Sequence, residues 1–262
     1  LALTVTAFNN DKYDYIVTRT ILVKDQTGRT VEKTFNINQD YAKIQGIEIG
    51  LYARFFKYLR MNFNAGYQVA KGKSNTAAES LLQIQVNGFA NATKEQFLAW
   101  DRPFDFKLGF IFVPDSTLKS AKWLHGFRVF LYSTLKSGLR YTPHEFTGYT
   151  DLGRPIYEPI FEQRNTKISA PWFWTDLRIT RDIFIKRTGR LSFSVEIKNL
   201  FNNKISQIIN PVTGRGYEFG DPVPENWRDP AYPDPQDFGT PPFNPARYRA
   251  PTHILMGFSF NF

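Results

Sequence analysis

Eight stretches of this chain alternate apolar and polar residues with a period of two, and that pattern leaves few folds open. A strand turns successive side chains to opposite faces, so each stretch predicts one apolar and one polar face. The last stretch constrains most. Ile254-Leu-Met-Gly-Phe-Ser-Phe-Asn-Phe262 sets Met256, Phe258, Phe260 and Phe262 against Gly257, Ser259 and Asn261, and closes on an aromatic residue. A soluble sandwich strand shows the same alternation, so the other seven stretches decide between the two.

The first stretch runs from Leu1 to about Arg19. Leu1, Leu3, Val5 and Ala7 share a face, and Tyr13, Tyr15 and Val17 continue it in phase. Lys24-Asp-Gln-Thr-Gly-Arg29 reads as a hairpin tip. The second stretch covers Thr30 to Phe55 and the third Arg60 to Lys71, with Met61, Phe63, Ala65, Tyr67 and Val69 on one side. The fourth covers Trp100 to Val113, the fifth His125 to Leu139 and the sixth Trp172 to Ile185. The seventh, Arg190 to Phe201, alternates most strictly, with Leu191, Phe193, Val195 and Ile197 against Ser192, Ser194, Glu196 and Lys198.

The links alternate between long and short after the third strand. Gly72–Leu98, Arg140–Ser169 and Asn202–Ala250 are long, and the others are short. An outer-membrane barrel sorts its connections this way, with short periplasmic turns and long extracellular loops, which places the C-terminus on the periplasmic side. A sandwich has no reason to sort loops by parity. The polar face carries Asp105, Lys107, Arg128, Lys136, Asp176, Arg178, Glu196 and Lys198. So many charges suit a hydrated lumen or a plug that pairs them, because unpaired buried charge is expensive.

Composition agrees without deciding. The chain is 42% hydrophobic and 16% aromatic, with a mean hydropathy of −0.37. No run approaches the roughly 18 apolar residues of a membrane helix; Phe110-Ile-Phe-Val113 is typical. A transmembrane barrel needs only every second strand residue to be apolar. Cys is absent, which excludes disulfides and thiolate metal sites. The net charge is +9, but the basic residues are scattered over strands, turns and loops, so no nucleic-acid partner is expected. The chain opens at Leu1 inside an alternating strand, as it would after removal of a leader or, the reading preferred here, as the C-terminal piece of a longer protein.

Little points to reaction chemistry. His125, His144 and His253 stand far apart without metal-ligand spacing, and no metal or cofactor is expected. Asp14 and Glu48 could meet across neighbouring strands, but lumen carboxylates are common in hydrated barrels. Lys71-Gly-Lys-Ser74 lacks the upstream Gly of a phosphate loop. Trp100, Trp172 and Trp174 lie near the outer strand ends, which suits either an interfacial girdle or packing beneath the loops. The loop Asn202–Ala250 interleaves many prolines with aromatics and carboxylates. Trp227, Tyr232 and Phe238 are its candidate substrate-binding residues, suited to sugar or peptide capture or to docking a surface lipoprotein; a cap that only packs on its neighbours remains the alternative.

Six segments carry a family resemblance. Val195-Glu-Ile-Lys-Asn-Leu-Phe-Asn-Asn203 resembles the penultimate strand of TonB-dependent outer-membrane receptors. Tyr41-Ala-Lys-Ile-Gln-Gly-Ile-Glu-Ile49, Trp100-Asp-Arg-Pro-Phe104, Tyr132-Ser-Thr-Leu-Lys-Ser-Gly-Leu-Arg-Tyr-Thr-Pro143, Trp174-Thr-Asp-Leu-Arg178 and Tyr248-Arg-Ala-Pro-Thr252 resemble further elements of that family, in its order. Thr252 departs from the Arg more usual there. The C-terminal Phe resembles the family's assembly signal, and the loop style resembles the SusC-like receptors of Bacteroidetes. The resemblance implies an all-β antiparallel transmembrane barrel of 22 strands with an N-terminal plug. Residues 1–262 would supply about eight strands, its C-terminal portion, with the plug and earlier strands outside this chain. It further implies a bacterial outer-membrane transporter, not an enzyme, importing a glycan, peptide or metal chelate. Its partners would be membrane lipid and lipopolysaccharide, a TonB-type energy-coupling complex and a surface lipoprotein. A structural scaffold in an outer-membrane complex stays open, as does a small standalone eight-stranded barrel serving as an enzyme or adhesin.

Overall fold

Period-two sequence produces strands here almost without exception. The structure, a computed structural model, describes residues 1–24, 28–73, 95–114, 119–151, 153–185, 189–222 and 248–262. Eight long strands follow in chain order: β1 (Ala2–Lys24), β2 (Thr30–Phe55), β3 (Leu59–Gly72), β4 (Phe104–Phe112), β5 (Phe127–Lys136), β6 (Trp172–Ile185), β7 (Gly189–Lys198) and β8 (His253–Asn261). Each pairs antiparallel with the next, so the sheet is a simple meander from β1 to β8. A two-residue strand, Gln96–Phe97, extends the far end of β3.

The register makes the two faces continuous across strands. One rung runs Ala53, Met61, Phe110, Leu131, Leu177, Ile197, Ile254, and the next Phe55, Leu59, Phe112, Val129, Ile179, Val195, Met256. These form an unbroken apolar band, and much of it is uncovered by protein: Met256 is 74% exposed. A soluble sheet would bury such a band against a second layer. Here no second layer lies over it among the described residues, as expected of a wall that faces lipid.

The first hairpin is longer than its sequence suggests. β1 continues past Arg19 to Lys24, and β2 pairs with β3 only from Ala42 onward. The pairs from Tyr15–Asp40 to Lys24–Thr30 therefore form a two-stranded arm beyond the sheet, about 30 Å long at the usual rise per residue. A bulge joins arm and wall: Asp14 takes a left-handed φ of 62°, and the register shifts after Lys12 and again after Tyr15. The alternation read as continuous through Tyr13 and Val17 passes through this fault. The arm adds a projection at the long-loop end, so loop parity holds from the first strand.

Strand ends are set by specific caps. β4 starts at Phe104 rather than Trp100 because Asp101 turns inward and accepts the Ala70 N–H (3.0 Å). β5 starts after Gly126, whose φ of 85° and contact with the Asp182 carbonyl leave no room for a Cβ. β7 stops at Lys198 because Asn199 is left-handed, with φ 51°. The Asn199 side chain accepts the Asn203 N–H (3.0 Å) and donates to the Asn203 and Ala250 carbonyls, while its N–H donates to Asp176 (2.9 Å). Thr252 Oγ1 donates to the Asn199 carbonyl, and Thr252 N–H donates to Asn202. The Asn-Leu-Phe-Asn segment is thus a turn that ties β6, β7 and the start of β8 together.

Candidate functional site: the polar face and its loop-end rim

The face opposite the apolar band is built from the other half of each strand. One rung runs Thr6, Glu48, Gly66, Asp105, Lys136, Trp172, and its neighbour Thr4, Gly50, Asn64, Lys107, Thr134, Trp174. Asp105 receives Lys107 (3.3 Å) and Lys136 (3.0 Å); Lys198 reaches Glu196 (2.6 Å) and Asp176 (3.5 Å). Arg128 donates to Asp182 (3.0 Å), which also accepts Ser192 (2.6 Å). These charges are half-buried and paired, which keeps their desolvation affordable.

Where glycines replace side chains the face is hollow. Gly50 and Gly66 lie in a depression of about 600 Å³, lined by Thr4, Thr6, Glu48, Asn64, Gln68, Trp100, Arg102, Asp105 and Lys107. Asp14 takes no part. Glu48 faces Thr6, and Asp14 lies in the bulge at the root of the arm, so the two carboxylates do not meet.

Trp172 and Trp174 belong to this polar face rather than to a lipid girdle. Arg102 stacks on Trp172 at 3.9 Å, and Arg249 lies over Trp174 at 4.9 Å. Arg102 also donates to the Ser137 carbonyl (3.0 Å). The arrangement alternates cation and ring, a geometry that cation–π attraction favours. Its signal was present in the sequence: both tryptophans share parity with Asp176 and Arg178.

Above the hollow lies the small buried core, Ala42, Ala70 and Leu98 with Ile44 against it. It surrounds Asp101, fully buried, which accepts Arg140 Nε (2.6 Å). Arg140 in turn stacks on Phe97 at 3.7 Å. Burial pushes the Asp101 carboxyl up from its ordinary value, against the opposing pull of Arg140 and the Ala70 N–H. Ser137 and Gly138 sit alongside, Gly138 so close to the Ser169 backbone that no Cβ fits. The segments Trp100–Phe104 and Tyr132–Pro143 are therefore two halves of one buried joint.

The loops above this joint interlock. His144–Tyr149 pairs with Pro155–Pro159, and Arg140–Tyr141 with Lys167–Ile168. His144 N–H donates to the Pro211 carbonyl (3.1 Å) and Ala170 N–H to that of Gly214 (3.0 Å), joining the loop after β5 to the loop after β7. Trp227, Tyr232 and Phe238 lie outside the described residues.

An antiparallel meander with an uncovered apolar face, a paired-charge polar face and loops gathered at one end is a wall of an outer-membrane β-barrel. The chain belongs to the TonB dependent receptor-like β-barrel family, whose model matches residues 1–200. That is a receptor and transporter family rather than an enzyme family, and it places the protein in the bacterial outer membrane. Two solved structures are similar. The outer membrane transporter YddB from Escherichia coli is 12% identical with a TM-score of 0.51, over 79% of this chain and 27% of its own. FpvA of P. aeruginosa, solved with heterologous pyoverdines, is 10% identical with a TM-score of 0.47, over 97% of this chain and 24% of its own. The chain thus spans about a quarter of each. At such identities the likeness to YddB is one of fold. No curated protein matches.

Proposed function

We propose that residues 1–262 are the C-terminal portion of a plugged 22-stranded barrel that imports a nutrient, a glycan, peptide or metal chelate, with energy coupled from the inner membrane through a TonB-type complex. The observation that carries this reading is the polar face. It is charged and hollowed, as a lumen that holds a plug and passes a solute must be, and it sits beneath a rim of interlocked loops. Among the described residues no strand pairs the outer edges of β1 and β8, which supports further strands: in lipid every backbone N–H and C=O needs a partner, so a wall must close. The narrower SusC-like placement, with a surface lipoprotein over the loops, rests on loop style. Trp227, Tyr232 and Phe238 are the proposed substrate contacts.

Uptake by cells tests it. A strain lacking the full-length gene should lose uptake of one class among labelled glycans, peptides and ferric chelates. The gene in trans should restore it, and an uncoupler should abolish it. Unchanged uptake of every class, together with stoichiometric co-purifying partners, would favour a scaffold instead.

A further inference from the structure

Among the described residues at the short-turn end, one charged side chain stands on the apolar face, where the pattern calls for hydrocarbon. Arg181 occupies the rung Phe127, Arg181, Phe193, Phe258. Its guanidinium lies over the Phe127 ring at 4.5 Å. Nη1 donates to the carbonyls of Trp123 (3.0 Å) and His125 (2.5 Å), which fixes the turn before β5 against β6. Among the described residues Nη2 and Nε donate to nothing further. A fixed guanidinium fork with donors to spare, at a lipid boundary, suits a phosphate.

The surroundings fit the same ligand. Arg181–Phe127 is the last rung of the β5–β6 ladder at the short-turn end, so the guanidinium sits beside the turn before β5. Lys122 is exposed on the turn whose carbonyls Arg181 holds, and Trp123 beside it is 71% exposed, as an interfacial indole is. Phe193 and Phe258 continue the rung with exposed rings. Among the described residues of the short-turn end the one acidic side chain is Asp182, held by Arg128 and Ser192. Arg54, Lys57, Arg60 and Arg190 are exposed at that end, with Arg54, Arg60 and Arg190 in phase with the polar face.

We infer that Arg181, Lys122 and Trp123 form a headgroup site for an anionic phospholipid in the leaflet at the short-turn end. Arg181 and Lys122 hold the phosphate, and the acyl chains lie against Phe193 and Phe258. The site depends on the barrel orientation and not on transport.

Native mass spectrometry of the delipidated full-length protein tests it, titrated with phosphatidylglycerol or phosphatidylethanolamine of the same acyl chains. Wild type should retain phosphatidylglycerol preferentially. Arg181→Gln and Lys122→Gln should each weaken that retention about fivefold, the value of one cation near an anionic surface, and Lys33→Gln in the arm should not. Heat-modifiable gel migration reports folding. Among the described residues Lys122 caps no carbonyl with its side chain, so Lys122→Gln decides even where Arg181→Gln unfolds the turn. Equal retention of the two lipids, or undiminished retention by Lys122→Gln, would overturn the site. Intact uptake alongside a lost lipid preference would leave the transport reading standing.

Discussion

Asn199 meets two separate demands, a left-handed backbone and four hydrogen bonds made by its side chain and N–H. The two can be measured apart. Asn199→Gly and Asn199→Ala both remove the side-chain bonds, but only alanine adds the left-handed penalty of roughly 1–2 kcal/mol. The alanine variant should therefore be the less stable by about that amount, read from urea midpoints of folding into vesicles; equal midpoints would show that the backbone geometry is incidental. The Asp101–Arg140 pair should behave as a buried ion pair. Arg140→Ala leaves the Asp101 carboxylate without its partner at a cost of roughly 3–5 kcal/mol, whereas Asp101→Leu with Arg140→Met should cost much less than the two single changes summed. Thermal scans of cold-gel mobility would show it. Both sites were legible as motifs. Their bonds were not, because Asn199 meets groups 23 and 51 residues away and Arg140 meets Asp101 at 39. Local sequence holds no record of that separation.

At the scale of elements the period of two carried nearly everything. β2 and β6 have the limits that alternation assigns them, since nothing but the pleat determines them. The faces should differ sharply in their tolerance of charge. Leu177→Lys, on the apolar band, should cost roughly 2–4 kcal/mol near the bilayer midplane, and Ser194→Lys, on the polar face, roughly 0.5 kcal/mol. Similar costs at both positions would contradict the assigned faces. Alternation was less informative where strands leave the wall. The arm continues β1 and β2 as a two-stranded ribbon, and its exposed faces impose no apolar pattern to read. The hairpin beginning at His144 adds a pH dependence. Burial lowers the His144 pKa below its ordinary 6.5, although the Thr142 carbonyl opposes the shift. A base with a lowered folded pKa binds its proton better when unfolded. Its stability contribution is therefore complete above pH 6.5 and is lost as pH falls from there toward the folded value. Hydrogen exchange across residues 144–159, corrected for intrinsic rates, should show protection falling between pH 7.5 and 5.5 in wild type but not in His144→Gln.

At the scale of the whole molecule, the topology puts every long connection and the arm at one end and every short turn at the other, so loop length alone made the orientation readable. The Arg181 contact was hidden, because Trp123 and His125 lie 58 and 56 residues from it and meet it only when the meander folds. The phase of Trp172 and Trp174 was readable but competed with a second plausible place for tryptophan, the lipid border. The central claim is that the apolar face meets lipid and the polar face meets water. The chain has no cysteine, so single cysteines can be placed along β7 without background. The most direct measurement is fluorescence quenching of a probe at positions 193 to 198 in vesicles. A lipid-dissolved quencher should reach 193, 195 and 197, and an aqueous quencher 194, 196 and 198. The opposite alternation, or none, would mean that the apolar band is covered by protein and the strands do not cross a membrane.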